Sequence, residues 1–169
     1  MLPGGGSILY IQGPSNSDVT HEREYGLLQA KPANIHVSVL KGQWTEESAR
    51  KAVASWLSLS TSRKAKIDLV LAQNDSMAMG ARNAFQAIPN EIERERWLAL
   101  PFLGVDGVPK TGQAWIRSGF LRATIAIPPN TGLAMEMLIE TLERNKPQPA
   151  RAFTEAVSIP AIESLRPKK

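Results

Sequence analysis

The chain has 169 residues, enough for one domain with a proper core, and its 20 basic against 16 acidic residues leave a net charge of +4. No dense basic stripe accompanies that charge, which argues against a nucleic-acid surface; the one basic cluster, at 166–169, reads as a solvated tail. The absence of cysteine excludes disulfides, thiolate catalysis and cysteine-ligated zinc, and no stretch approaches the roughly 20 apolar residues that a membrane span requires.

Residues 1–7, with the triplet Gly4-Gly5-Gly6, read as a flexible lead-in that lacks the charged start and apolar segment of a signal peptide. A single domain is expected over 8–165. Residues 8–12 form a short apolar run stopped by Gly13-Pro14, which predicts a strand. Cap candidates at 15–18 open a helix to about Ala30, which Pro32 ends. Residues 35–40 alternate and are β-branched, so a strand is expected there. Thr45 is placed to cap a helix over 46–59, with Glu46 and Glu47 at the positive end of its dipole and Ala49, Ala52, Val53 and Trp56 on the inward face.

A strand buried on both faces follows at 67–72, then a helix over 76–87 that stops before Pro89. The charged stretch 91–96 reads as a solvated helical turn or loop. Residues 103–105 predict a strand, 107–109 a turn, 113–118 a short helix closed by Gly119, and 121–127 a further strand. Pro128, Pro129 and Asn130 start a long helix to about Arg144, and 153–159 reads as the last strand. Strands alternating with helices predict an α/β doubly wound domain, a mostly parallel sheet with helices on both faces.

Such sheets bind ligands outside the carboxyl ends of their strands, near the point where the strand order reverses. The run Leu69-Val70-Leu71-Ala72 ends on Gln73, Asn74 and Asp75, and that rule draws attention to Asn74 and Asp75, and to Asp106 within Gly104-Val105-Asp106-Gly107. One member of the adjacent polar pair suffices to cap the next helix; Asp75 is expected to do so, leaving Asn74 for a ligand. Trp44 follows Gly42-Gln43 in a loop at the mouth of the sheet, which suggests a stacking platform, whereas Trp56, Trp97 and Trp115 have packing context. Arg23, between Glu22 and Glu24, reads as a surface charge.

Other chemistry has no support. His21 and His36 lie in different elements without a carboxylate at metal-ligand spacing, so no metal is expected. No nucleophile elbow, phosphate loop or dinucleotide fingerprint is present, so neither a cofactor nor an enzyme is expected. A Rossmann-like enzyme using Asp75 or Asp106 as base would lack a partner residue.

The segments AQNDSMAMGA, LGVDG and GFLRATIAI resemble the ribose-type sugar-binding proteins of bacterial ABC transporters, and the ligand domain of lactose-repressor-type regulators is similar. The resemblance runs from residue 8 to about 165. It implies one lobe, the second, of a two-lobe protein that closes on a sugar, with the first lobe missing as in a fragment or a truncated product. Transferred by position, the family's sugar contacts fall on Arg23 in THEREYG, Trp44, Asn74 in AQND and Asp106 in GVDG. The implied function is recognition of a monosaccharide or polyol without chemistry. A transporter permease or receptor would be the partner of the full-length protein, which would be periplasmic or extracytoplasmic, or cytoplasmic if it is a regulator. Ribose binders carry a glutamine where this chain has Ile127, which implies one hydroxyl contact fewer. Glu91 to Trp97 is an added turn relative to the family. The long helix is apolar nearly all round, through Leu133, Ala134, Met135, Met137, Leu138, Ile139 and Leu142. In the family it packs on the first lobe; alone, it implies a homodimer through about 130–145.

Overall fold

Leu9 and Ile11 have no exposed surface, and the strand that carries them, β1 (Gly6–Gln12), lies inside a six-stranded sheet. The computed structural model describes residues 2–63 and 65–165, so the expected basic tail lies outside the described residues. Four further strands run parallel to β1: β2 (Ile35–Lys41), β3 (Leu69–Ala72), β4 (Phe102–Asp106) and β5 (Ala123–Ala126). The last, β6 (Val157–Ile159), pairs antiparallel with β5. The order across the sheet is β2-β1-β3-β4-β5-β6. The chain therefore leaves β1 to one side for β2 and returns to its other side for β3. The crevice above the carboxyl ends of β1 and β3 is the switch point of this fold.

Alternate residues of β1 face opposite ways, as a strand requires. Leu9 and Ile11 join Val70, Ala72 and Phe102 on one face. That face is covered by α2 (Glu46–Leu57), α4 (Asp75–Gln86) and α5 (Glu91–Leu98), through Ala49, Val53, Met77, Ala81, Phe85 and Trp97. The α2–α4 crossing is close: a Cβ on Gly80 would come within 2.0 Å of the Glu46 carbonyl oxygen. Phe85 stacks on Trp97 at 5.0 Å, and Trp56 meets Trp97 edge-on at 5.5 Å. On the other face, Ile8, Tyr10, Ile35 and Leu69 pack with Leu27 of α1 (Asp18–Ala30).

Several local expectations change. β1 begins at Gly6, inside the stretch expected to be a lead-in, and Leu2 packs against the second-face cluster. β3 begins at Leu69, and just before it Asp68 is tied to β1 twice: its carboxylate accepts from the Ser7 amide and its own amide donates to the Ser7 carbonyl, both at 2.9 Å. The charged stretch expected as a solvated helical turn or loop is a helix of two turns, α5, and not wholly solvated: Asn90 caps it by accepting from the Glu93 amide at 2.9 Å, and buried Trp97 anchors it. A short α3 (Ser60–Arg63) was not expected, and α6 (Gly112–Arg117) follows the β4 turn.

The long helix, α7 (Asn130–Arg144), buries none of its residues. Met135, Leu138, Ile139 and Leu142 remain exposed along it. Its two connections to the sheet meet again at their base, where Ala126 faces Val157 in the ladder. The Thr154 hydroxyl donates to the Asn130 carboxamide oxygen at 2.7 Å and lies 3.3 Å from the Pro128 carbonyl.

Candidate functional site

Each strand around the switch point ends by handing its loop to the tripeptide Gln73-Asn74-Asp75, which closes β3. Gln73 is buried and serves the loop after β1. Its side-chain oxygen accepts from the Gly13 amide at 2.9 Å, and its amide nitrogen donates to the Tyr10 hydroxyl at 2.7 Å and the Thr20 carbonyl at 2.9 Å. Burial pushes the Tyr10 phenol up from its ordinary pKa, which keeps it neutral beside that amide.

Asn74 serves the loop after β2. Its side-chain oxygen accepts from the Met77 amide at 2.8 Å, and its amide donates to the Trp44 carbonyl at 2.9 Å. Asn74, not Asp75, is therefore the cap of α4. The cap expected of Asp75 falls to Asn74, which also lines the hollow, because the carboxylate has other partners. Asp75 is 3% exposed and serves the loop after β4: one oxygen accepts from the Gly107 amide at 2.9 Å, the other from the Thr124 hydroxyl at 2.6 Å. Burial raises its pKa to about 6, against the lowering effect of those two hydrogen bonds.

The loops so held, and α1 after the first of them, bring Arg23, Trp44, Asn74 and Asp106 to the rim of one open hollow of about 290 Å³, together with Ser17 and Val19. Arg23 is the hub, and its expected role as a plain surface charge gives way to three contacts. One guanidinium nitrogen donates to Asp106 at 2.9 Å, the other donates to the Gln73 carbonyl, and the guanidinium carbon lies 5.6 Å from the centre of the Trp44 ring. Trp44 has φ of 62° and Asp106 of 103°. For residues with a β-carbon such conformations cost on the order of 1–3 kcal/mol and persist only where neighbours hold them. Here the holders are Asn74 on the Trp44 carbonyl and Asp75 on the amide that follows Asp106.

Chemically, the hollow offers a guanidinium fork, a carboxylate, one amide hydrogen that Asn74 has not yet spent, and an indole ring. Such a set suits adjacent hydroxyls on an apolar C–H frame. Among the described residues no group of His, Asp or Glu is arranged to hold a metal ion, and no helix is long and apolar enough to cross a membrane. A larger groove of about 830 Å³ lies elsewhere, along Leu71, Leu103, Ile125, Val157 and Ile162; its polar lining is Thr124, Glu155, Ser158 and Glu163, without a guanidinium, a side-chain amide or an aromatic ring. Sequence reasoning missed Gln73 and the loop-holding role of Asp75; the run of three polar residues at the tip of a buried strand was their signal.

Residues 1–146 match the family described as periplasmic binding protein domain. The chain is 31% identical over 121 residues to a xylitol-binding protein of Mycolicibacterium smegmatis, an alignment covering 70% of this chain and 32% of that protein. To a ribose import binding protein of Salmonella typhimurium it is 30% identical over 126 residues, covering 75% and 39%. Among solved structures it is similar to the fructose binding periplasmic domain of a hybrid two component system, with a TM-score of 0.75 and 29% identity over 93% of this chain and 50% of that one. An ABC transporter solute binding protein from Bacillus halodurans with bound myo-inositol shares the fold at a TM-score of 0.70 and 20% identity, covering 95% and 54%. The chain thus spans well under half the length of these curated relatives and about half that of the solved structures.

Proposed function

The chain belongs to the periplasmic binding protein domain family, and we propose that it is the second, carboxyl-terminal lobe of a two-lobe binding protein that recognises a monosaccharide or polyol. The observation that carries this reading is the convergence of Arg23, Trp44, Asn74 and Asp106 on one hollow at the switch point. Arg23, Asn74 and Asp106 exchange water for sugar hydroxyls, and the Trp44 ring covers the C–H face. No bond is made or broken. The lobe runs from the packed Leu2 and β1 to about 165, and its partner lobe supplies the other half of the clamp. In the full-length protein the liganded clamp docks on the permease of an ABC transporter, outside the cytoplasm.

A second reading is the sensing domain of a receptor or regulator. It is favoured by the likeness, at 29% identity, to the fructose binding domain of a two component system. The coding sequence next to this chain separates the two: transporter components favour transport, a kinase or DNA-binding module favours sensing. In either setting α7 is the element that leaves this lobe, and its exposed Leu138, Ile139 and Leu142 support a homodimer through about 130–145 when no first lobe covers it.

The test is thermal unfolding with fructose, ribose, xylitol, galactose or myo-inositol at about 50 mM. A sugar with a dissociation constant of about 1 mM stabilises the folded chain by roughly 2 kcal/mol, a shift of several degrees. The shift is expected with one sugar and disappears in Asp106→Ala. A shift that survives both Asp106→Ala and Trp44→Ala places recognition elsewhere and overturns this reading.

A further inference from the structure

We propose that Asp75 is a positioning residue: without touching ligand, it sets the Asp106–Gly107 turn and so aims the Asp106 carboxylate at Arg23 and the hollow. The inference rests on the sugar-site reading for its purpose, though not for its geometry. Asp75 does not line the hollow, and it is not the cap of the helix it begins, since Asn74 fills that place. Both of its oxygens are committed to other loops, one to Gly107 and one to Thr124, residues 32 and 49 positions away in the chain.

The carboxylate sits in a slot built for it. A Cβ on Gly104 would come within 2.2 Å of one Asp75 oxygen, and a Cβ on Gly112 within 2.0 Å of the other. Two glycines therefore make room for the group, one beside each oxygen. What it holds is the amide directly after Asp106, whose φ of 103° is outside the regions an L residue prefers. The remaining groups of that turn are tied as well: the Ile127 amide donates to the Asp106 carbonyl at 3.2 Å, and the Gln113 side chain donates to the Gly107 carbonyl at 2.7 Å. Among the described residues, only Asp75 reaches the backbone of the turn directly from the strand tip that also carries Asn74 and receives Arg23. One side of the site is thereby registered against the other.

The charged groups facing Asp75 are Asp106 from β4, which raises its pKa, and Arg23 from α1, which lowers it; β5 and α6 present Thr124 and Gly112. A group poised to change charge near pH 6 therefore lies one hydrogen bond away from the turn, and this supplies a readout.

The experiment follows the Gly107 amide and the Arg23 guanidinium by nuclear magnetic resonance between pH 5 and 8, in the unmodified chain and in Asp75→Asn. Both signals are expected to move with one midpoint near 6, and to stop moving in the variant. A Gly107 signal that titrates while Arg23 stays fixed would mean that Asp75 only staples α4 to β5, and the proposal falls. In parallel, sugar affinity is measured for Asp75→Ala and Asp75→Asn, with fructose and xylitol as probes. Alanine should weaken binding by about tenfold, the scale of one hydrogen bond to a charged group, and asparagine, which keeps an acceptor for Gly107, should recover most of it. Equal affinity in Asp75→Ala and the unmodified chain overturns the proposal. If the unmodified chain binds neither sugar, the sugar reading is what has failed, and the resonance coupling decides the positioning role alone. Should Asp75→Ala not fold, Thr124→Val and Asp75→Asn carry the comparison.

Discussion

Two helices of similar apolar content meet opposite fates in this molecule. α4 buries eight of its 12 residues, closes against α2 at Gly80 and stacks Phe85 on Trp97. α7, with 15 residues and a full apolar stripe, buries none. The difference is not in the pattern of either helix but in what the chain supplies next to it. α4 folds back over the sheet beside α2, whereas α7 is carried away from β5 and brought back to β6. A hydrophobic stripe states that a partner is needed and leaves open which chain provides it.

The largest effect that would sharpen this contrast is expected at Phe85. Phe85→Ala removes a ring with no exposed surface and should cost about 3–5 kcal/mol, read as a drop in the midpoint of chemical denaturation. A loss well below that range would mean that the α4 face closes around the cavity, which blurs the comparison.

An intermediate effect is expected from pH. Asp75 has a folded-state pKa raised to about 6 from an ordinary value of 3.8. The stability it contributes is therefore fully present below 3.8 and is lost as the pH rises through 6. Going from pH 7 to 5 should raise the melting temperature by a few degrees, and Asp75→Asn should flatten that slope. Glu47, held near 2 by its hydrogen bond with Arg50, has the opposite sign but acts only below about 4.5 and leaves this window clear. An identical pH dependence of the melting temperature in both proteins would show that Asp75 carries no desolvation penalty.

The smallest effect is assigned to α7. Leu142→Glu, at a position 74% exposed, should change monomer stability by no more than about 0.5 kcal/mol, while any self-association seen by light scattering is lost. A destabilisation comparable to that of Phe85→Ala would show that α7 is packed in solution and would break the comparison.

Much of this architecture was legible in the residues. The alternation of apolar strands with capped helices marks the α/β class, and Thr45 caps α2 as its position implies, accepting from the Ser48 amide at 3.2 Å. The placement of Trp44, Asn74 and Asp106 follows from the rule that open sheets expose their strand tips to ligands, whereas Arg23, on α1, was indicated only by the family resemblance. The division of labour between Asn74 and Asp75 was not legible. Both side chains accept hydrogen bonds from a helix start equally well, and what separates them is Gly107 and Thr124, brought near only by tertiary structure. Likewise, nothing in a tryptophan or an aspartate announces positive φ at Trp44 and Asp106, since the conformation is imposed by neighbours. α5 was underrated because its charged surface hides a single anchor, Trp97.

The pairing of Ala126 with Val157 carries a further consequence. Because β5 and β6 are adjacent and antiparallel, residues 127–156 form an insertion whose two ends lie one strand spacing apart. A hairpin turn of two residues spans such a gap. The sheet can therefore be closed without the excursion, and a minimal domain ending in a β5–β6 hairpin keeps every strand tip that surrounds the hollow. What the excursion carries is then an exchangeable cassette, which evolution or an engineer can lengthen, retarget or excise without redrawing the sheet beneath it.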